Sequence, residues 1–229
     1  MKQKEDKLQK EDKKRICYIV GACGFAKKRF FPGENDYIIA ADEGYGTLIK
    51  EGFEPDLTVG DFDSFDINLV NHNKLSFSDE KDETDMLLAV MEGMKLGFKT
   101  FYLFGGIGGR LSHTLANIQT MRYIAEKGCR GVMIGEDVTI FIVANDTVSF
   151  DMKQSGYISV FALDKEEVSV TINGLKYEVE NRNFTNSFPQ GISNEFIGKE
   201  SSISVKNGMV VVVIEHELGH KPERLLLFH

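Results

Sequence analysis

Apolar residues fall into two regimes along this chain. From Ile16 to about residue 144, short continuous apolar runs alternate with stretches whose apolar positions recur every three or four residues. The runs at Ile16–Val20, Tyr37–Ala41, 57–59, Thr100–Phe104, 132–134 and 138–143 predict strands. Between them, a short helix is expected over 45–51, with Gly52 as its stop. A second helix follows Thr84 and Asp85, carries Met86, Leu87, Leu88, Val90, Met91 and Met94 on its stripe, and closes at Gly97. A third spans 111–127. Strands alternating with helices predict a parallel sheet covered on both faces, with ligands bound beyond the carboxyl ends of its strands.

After residue 144 the helical period disappears. Segments Tyr157–Ala162, 168–172, 177–179, 202–205 and Met209–Glu215 read as strands separated by Gly, Asn and Asp turns, with Lys206, Asn207 and Gly208 forming a hairpin turn. The expected organisation is a charged tail over 1–15, an α/β nucleotide-binding domain over 16–148 and an all-β, sandwich-type domain over 149–229, with the boundary near 145–152.

Composition narrows the function classes. With 229 residues, 42% of them hydrophobic and 17 of them Phe, the chain has enough apolar material for a substantial core. A formal net charge of −8 argues against a general nucleic-acid or anionic-membrane surface, but leaves a nucleotide open if a cation neutralises its phosphates. The three Cys are widely spaced and lack a CxxC pair, which predicts reduced thiols. Neither a secretory segment nor an apolar run of membrane-spanning length is visible, so a cytoplasmic protein is expected. Residues 1–15 are almost all Lys, Glu, Asp and Gln, which predicts a frayed helix or disordered tail.

The candidate chemistry centres on PDLTVGDFDSF, residues 55–65. In an extended segment Asp61 and Asp63 project to the same side, with Ser64 behind them. Paired carboxylates with no Lys or Arg nearby in sequence suit a hard cation such as Mg2+; the alternative is a solvated acidic turn. Gly105, Gly106, Gly108, Gly109 and Arg110 lie between a strand and a helix. Glycines there let the backbone approach a polyphosphate, and the Arg fork suits its oxygens; the alternative is a tight structural turn. Lys81, Thr84 and Asp85 sit at another helix start, where acids and a Thr cap are also routine helix chemistry. His113 and Asn117 are one turn apart on the helix that leaves the Gly-rich turn. The stretch from His216 to His220 matches HExxH, but it directly follows a strand, and Gly219 and Pro222 would break a helix, so zinc hydrolysis is not expected.

Taken together, Asp42 after a strand, PDLTVGDFDS, KDETD, GGIGGR with SHTLAN behind it, and the late GISNEF resemble the thiamin pyrophosphokinase family from about Ile16 to Ile214. The resemblance implies Mg2+-dependent transfer of pyrophosphate from ATP to the thiamin hydroxyl, giving thiamin diphosphate and AMP. It also implies a Rossmann-like α/β catalytic domain, a C-terminal β-sandwich, and a homodimer whose thiamin site lies between the α/β domain of one subunit and the β domain of the other. Carried over residue by residue, Asp61, Asp63 and Asp85 would hold the metal. Asp42, Gly44, Ser64, Lys81, Thr84, Gly106, Gly109, Arg110, His113 and Asn117 would form the nucleotide site, with Arg110 also catalytic. Ser193 and Asn194 would contact thiamin. The chain departs from the family pattern at Ser112, where an Asp is usual, and at Glu43, where Gly is common. Two other readings fit these residues: a nucleotide or thiamin sensor that kept the fold without the chemistry, and a Mg2+-dependent phosphatase with Asp61 as nucleophile.

Overall fold

The five apolar residues Ile16–Val20 form strand β1, and all five are buried. A run with no polar alternation belongs at the centre of a sheet covered on both faces. The computed structural model describes residues 15–60, 73–76 and 82–216. They fall into two units that divide between Glu136 and Asp137.

In the N-terminal unit, β1 is joined by β2 (Tyr37–Ala41), β3 (Leu57–Gly60), β4 (Asn73–Ser76), β5 (Thr100–Phe104) and β6 (Arg130–Ile134). The order is β6-β5-β1-β2-β3-β4, and every neighbouring pair is parallel. The helices are α1 (Gly44–Lys50), α2 (Asp85–Lys95) and α3 (Leu111–Glu126), with α2 and α3 in contact. Helix α2 buries Met86, Leu88, Ala89, Val90 and Gly93. A Cβ on Gly93 would lie 2.7 Å from Phe101 Cε1 and 2.9 Å from Cys17 Sγ, so this helix rests directly on the sheet. Burial pushes the Cys17 thiol far above its ordinary range, with Asp56 and then Asp36 adding to the rise, which keeps it protonated and unreactive.

On the other sheet face Tyr18 and Phe104 meet Phe30 and Phe25 in edge-on ring contacts, Tyr102 stands edge-on to Tyr18, and Phe53 closes the cluster in its tightest pair, Phe30–Phe53 with centroids 4.8 Å apart. Such pairs contribute about 0.5–1.5 kcal/mol each beyond the area they bury. The Tyr18 hydroxyl donates to the Phe31 carbonyl at 3.0 Å, so its burial leaves no unmet polar group.

The C-terminal unit contains β7 (Val138–Ala144), β8 (Thr147–Phe150), β9 (Tyr157–Ala162), β10 (Val168–Asn173), β11 (Val179–Phe184), β12 (Gly191–Glu195), β13 (Ser201–Lys206) and β14 (Met209–Glu215). They run as two antiparallel arrays, β12-β9-β14-β7 and β11-β10-β13-β8. Phe150 of β8 stands between the arrays, with its ring 6.3 Å from Phe141 and 5.4 Å from Phe196. The hairpin turn sits where the sequence puts it, with Asn207 at φ 62° and Gly208 at φ 151°. The expected fold class, a parallel α/β region followed by an antiparallel β domain, is the one observed.

The two units divide just before strand β7. Strand β7 reads locally like any buried strand of the α/β region, but it pairs along its whole length with β14, from Val138↔Glu215 to Ala144↔Met209. A long-range antiparallel partner assigns it to the C-terminal unit. His216 continues this ladder, its amide donating to the Asp137 carbonyl at 2.7 Å, so the HExxH stretch begins as extended chain; the rest of that motif lies outside the described residues. Among the described residues no helix is long and apolar enough to cross a membrane.

Candidate active site

The strand order reverses between β1 and β5: β2, β3 and β4 build outward on one side of β1, β5 and β6 on the other. In an open parallel sheet this switch point opens a crevice at the carboxyl ends of the strands. Gly21, the first residue after β1, is the hub of the construction. Its amide donates to the Phe104 carbonyl at 2.9 Å, and the Cys23 amide donates to the Gly105 carbonyl at 3.2 Å. A Cβ on Gly21 would meet Met86 Cε at 2.8 Å, and one on Gly44 would fall 1.8 Å from the Val20 carbonyl oxygen. The start of α1, the first turn of α2 and the turn after β5 therefore converge on the end of β1. The place of Gly21 at a strand's carboxyl end, with Gly24 three residues on, is the signal for it in the sequence.

Asp42 leaves β2 in the left-handed region, at φ 50°, with its amide donating to the Val59 carbonyl at 2.8 Å and its own carbonyl accepting from the Tyr45 amide at 3.1 Å. Asp tolerates this conformation better than most residues, but it remains a strained choice of the kind found at functional sites. Gly60 packs beside it, a built Cβ lying 3.2 Å from Asp42 Cα. Asp61 follows directly in the chain; Asp61, Asp63, Ser64 and Lys81 lie outside the described residues. Asp85 occupies the first turn of α2, and the Thr84 hydroxyl oxygen accepts from the Leu87 amide at 3.3 Å, so this Thr is engaged as the helix cap. Among the described residues no three His, Cys, Asp or Glu side chains come together as a metal-binding group.

The turn 105–109 holds three glycines in the left-handed region: Gly105 at 67°, Gly108 at 100° and Gly109 at 63°. Gly106 is fixed differently. A Cβ there would meet Met133 Sδ at 2.7 Å and Asn117 Nδ2 at 3.2 Å, and that same amide nitrogen donates to the Gly106 carbonyl at 2.9 Å. Asn117 is buried, so it braces the turn from within, whereas His113, one helical turn earlier, is exposed. The shared face that the sequence suggests thus splits into a bracing residue and a solvent-facing one. Arg110 caps α3 with extended dihedrals and is exposed, as is Ser112 in a first turn that carries no acid. The positive end of this helix is left without an internal counter-charge, which suits an anion. Asn117→Leu should cost about 1–3 kcal/mol in urea unfolding, because it strands the Gly106 carbonyl without its donor.

In the C-terminal unit, Ser193 and Asn194 lie in a register break between β12 and β9. Ser193 is exposed, at φ 57°, and its amide donates to Ser159 Oγ at 3.0 Å. Asn194 is buried: its Oδ1 accepts from the Tyr177 and Glu195 amides, both at 2.9 Å, and its Nδ2 donates to the Tyr177 carbonyl at 2.7 Å. The side chain is thus spent on holding the Tyr177 backbone, a role the sequence does not show. Beside it, Lys176 Nζ pairs with Glu195 Oε1 at 2.6 Å, and the Tyr177 ring is exposed.

Two family profiles match this chain: thiamin pyrophosphokinase, catalytic domain, over residues 32–133, and thiamin pyrophosphokinase, vitamin B1 binding domain, over residues 146–210. The chain belongs to the thiamin pyrophosphokinase family. A thiamine pyrophosphokinase of Bacillus subtilis is 26% identical over 193 residues, covering 80% of this chain and 89% of the relative. Among solved structures, the thiamin pyrophosphokinase of Geobacillus thermodenitrificans superposes with a TM-score of 0.77 at 25% identity, over 89% of this chain and 99% of that one. The yeast thiamin pyrophosphokinase shares the fold at 14% identity, with a TM-score of 0.71 over 89% of this chain and 86% of that one. The family's catalytic-domain match contains the switch-point crevice except for the β1 end, and its vitamin B1 domain match contains Tyr177, Ser193 and Asn194.

Proposed function

We propose that this chain transfers pyrophosphate from ATP to the hydroxyl of thiamin, forming thiamin diphosphate and AMP and releasing the hydroxyl proton. The observation that carries this reading is the Gly-rich turn at the switch point, braced by Asn117 and opening onto an α3 N-terminus with Arg110 and no acid. The family's domains on both sides of the unit boundary supply the substrate class.

The donor set fits a hard cation. Asp85 heads α2, Asp42 heads the chain leaving β2, and Asp61 and Asp63 follow Gly60, where an added Cβ would lie 3.2 Å from Asp42 Cα. All are oxygen donors, the kind that Mg2+ takes. Asp61, Asp63 and Asp85 would hold the ion, which when bound offsets phosphate charge as it shifts to the leaving group. The chain's own residues do the rest by position. The turn's backbone admits the polyphosphate closely, and the α3 N-terminus and Arg110 stabilise its oxygens while the thiamin hydroxyl attacks the β-phosphorus in line. Gly44, Thr84 and Asn117 shape this site rather than touching the reacting atoms. Ser193 and the Tyr177 segment held by Asn194 form the thiamin side, and the working enzyme is a homodimer. The exposed apolar side chains of Leu111 and Leu115 on α3 and of Ile192 beside Ser193 support a partner surface.

Incubation of the protein with ATP, Mg2+ and thiamin, followed by chromatography, tests the reaction. AMP and thiamin diphosphate should appear together, in equal amounts and only when thiamin is present. ATP and thiamin raising the melting temperature without either product would instead favour a sensor, the reading to which Ser112 lends support.

A further inference from the structure

The loop at residues 21–24 is exposed at Ala22 and Gly24 and half-buried at Cys23. Its geometry ties it to the Gly-rich turn at four points. The Cys23 amide donates to the Gly105 carbonyl, and a Cβ on Gly105 would lie 2.3 Å from the Gly21 oxygen and 3.0 Å from the Cys23 oxygen. A Cβ on Gly24, itself at φ 60°, would fall 2.8 Å from the Ile107 oxygen. A Cβ on Gly109 would fall 2.8 Å from Cys23 Sγ. The two loops thus run side by side at van der Waals distance, one from each strand bordering the switch point, which is where a crevice between diverging connections must have two walls.

We propose that the loop 21–24 is the second wall of the nucleotide site, so that a bound nucleoside triphosphate lies across Gly109 and covers the Cys23 thiol. The inference rests on the nucleotide-binding reading above and extends it to a segment that precedes the matched catalytic domain at residue 32. The reason is steric. A polyphosphate that uses the backbone of 105–109 lies within a few ångströms of the loop in contact with that backbone, and Cys23 is the side chain nearest to Gly109. Cys17 and Cys129 are buried and serve as internal references.

The test follows alkylation of the intact, wild-type protein by N-ethylmaleimide, with peptide mass analysis to separate the three thiols. MgATP is expected to slow modification of Cys23 at least tenfold, while Cys17 and Cys129 stay slow with and without it. In parallel, Ala22→Trp places a large side chain on the exposed rim and is expected to weaken MgATP binding about tenfold without lowering the melting temperature of the free protein. If MgATP raises the melting temperature of the wild type yet Cys23 reacts at an unchanged rate, the wall is elsewhere and only the nucleotide reading survives. Protection of Cys23 combined with normal binding by Ala22→Trp also overturns the proposal, because protection then comes from ordering at a distance. If MgATP changes neither melting temperature nor reactivity, the nucleotide reading falls with it.

Discussion

Arg110→Ala is expected to lower kcat for thiamin diphosphate formation about 10²–10³-fold, the usual cost of removing one preorganised charge partner from a transition state. Its melting temperature should stay that of the wild type. Arg110 contributes only its backbone to the start of α3: the side chain makes no capping hydrogen bond, stands in solvent and has no ion-pair partner among the described residues. Surface positions of that kind usually change stability by no more than about 0.5 kcal/mol. Its position, directly after a turn with three left-handed glycines and before a helix without an acidic first turn, suits an incoming anion. Arg110→Lys keeps the charge but loses the planar fork, so it should recover part of the rate and not all of it. Unchanged kcat in the alanine variant would remove the phosphate-facing role of the turn.

Gly105→Ala is expected to destabilise the fold strongly, and it acts through two separable causes. At φ 67° an L side chain is strained by about 1–2 kcal/mol. The added Cβ would also sit 2.3 Å from the Gly21 oxygen and 2.7 Å from its carbonyl carbon. These are backbone atoms at the end of the central strand and cannot rotate away, so overpacking adds about 1–3 kcal/mol. The total is about 2–5 kcal/mol, or a fall of roughly 5–20 °C in Tm for a chain of this size. Gly108→Ala isolates the first cause: φ there is 100°, but nothing lies within 4 Å of the new Cβ, so only the conformational strain remains. Thermal melts of the two variants should therefore differ by the steric contribution. Equal losses would mean that the contact between the β1 loop and the Gly-rich turn carries no energy.

Strands built of apolar residues were legible from the chain, including β6 and β7 at the ends of their arrays, and the polar edge strands were not. β1, β2, β5 and β14 are nearly continuous apolar runs because both their faces are largely covered. β4, β8, β11 and β12 each lie at the edge of their array. β4 is fully exposed and β11 nearly so. The sequence reading passes over β4, β8 and β12 and places β11 at 177–179 in place of Val179–Phe184. An edge strand pairs on one side only and must keep polar side chains to avoid pairing with another chain, so it carries little hydrophobic signal.

Candidate chemistry divides the same way. The residue types and spacings of Asp42, Asp85, Gly106, Gly109 and Arg110 place them at strand ends and helix starts, because glycines, caps and acids act through local backbone geometry that the chain writes locally. By itself, then, the sequence determined the alternation of strands and helices, the change to an all-β region and the carboxyl-end clustering of the candidate residues. Only the tertiary structure decided that order reverses between β1 and β5, that β7 belongs with β14, that Asn117 turns inward to Gly106 and that Asn194 is consumed by Tyr177. Each of these is a pairing between residues distant along the chain, fixed by burial and by the need to satisfy buried polar groups, and no local pattern encodes which distant partner will be there.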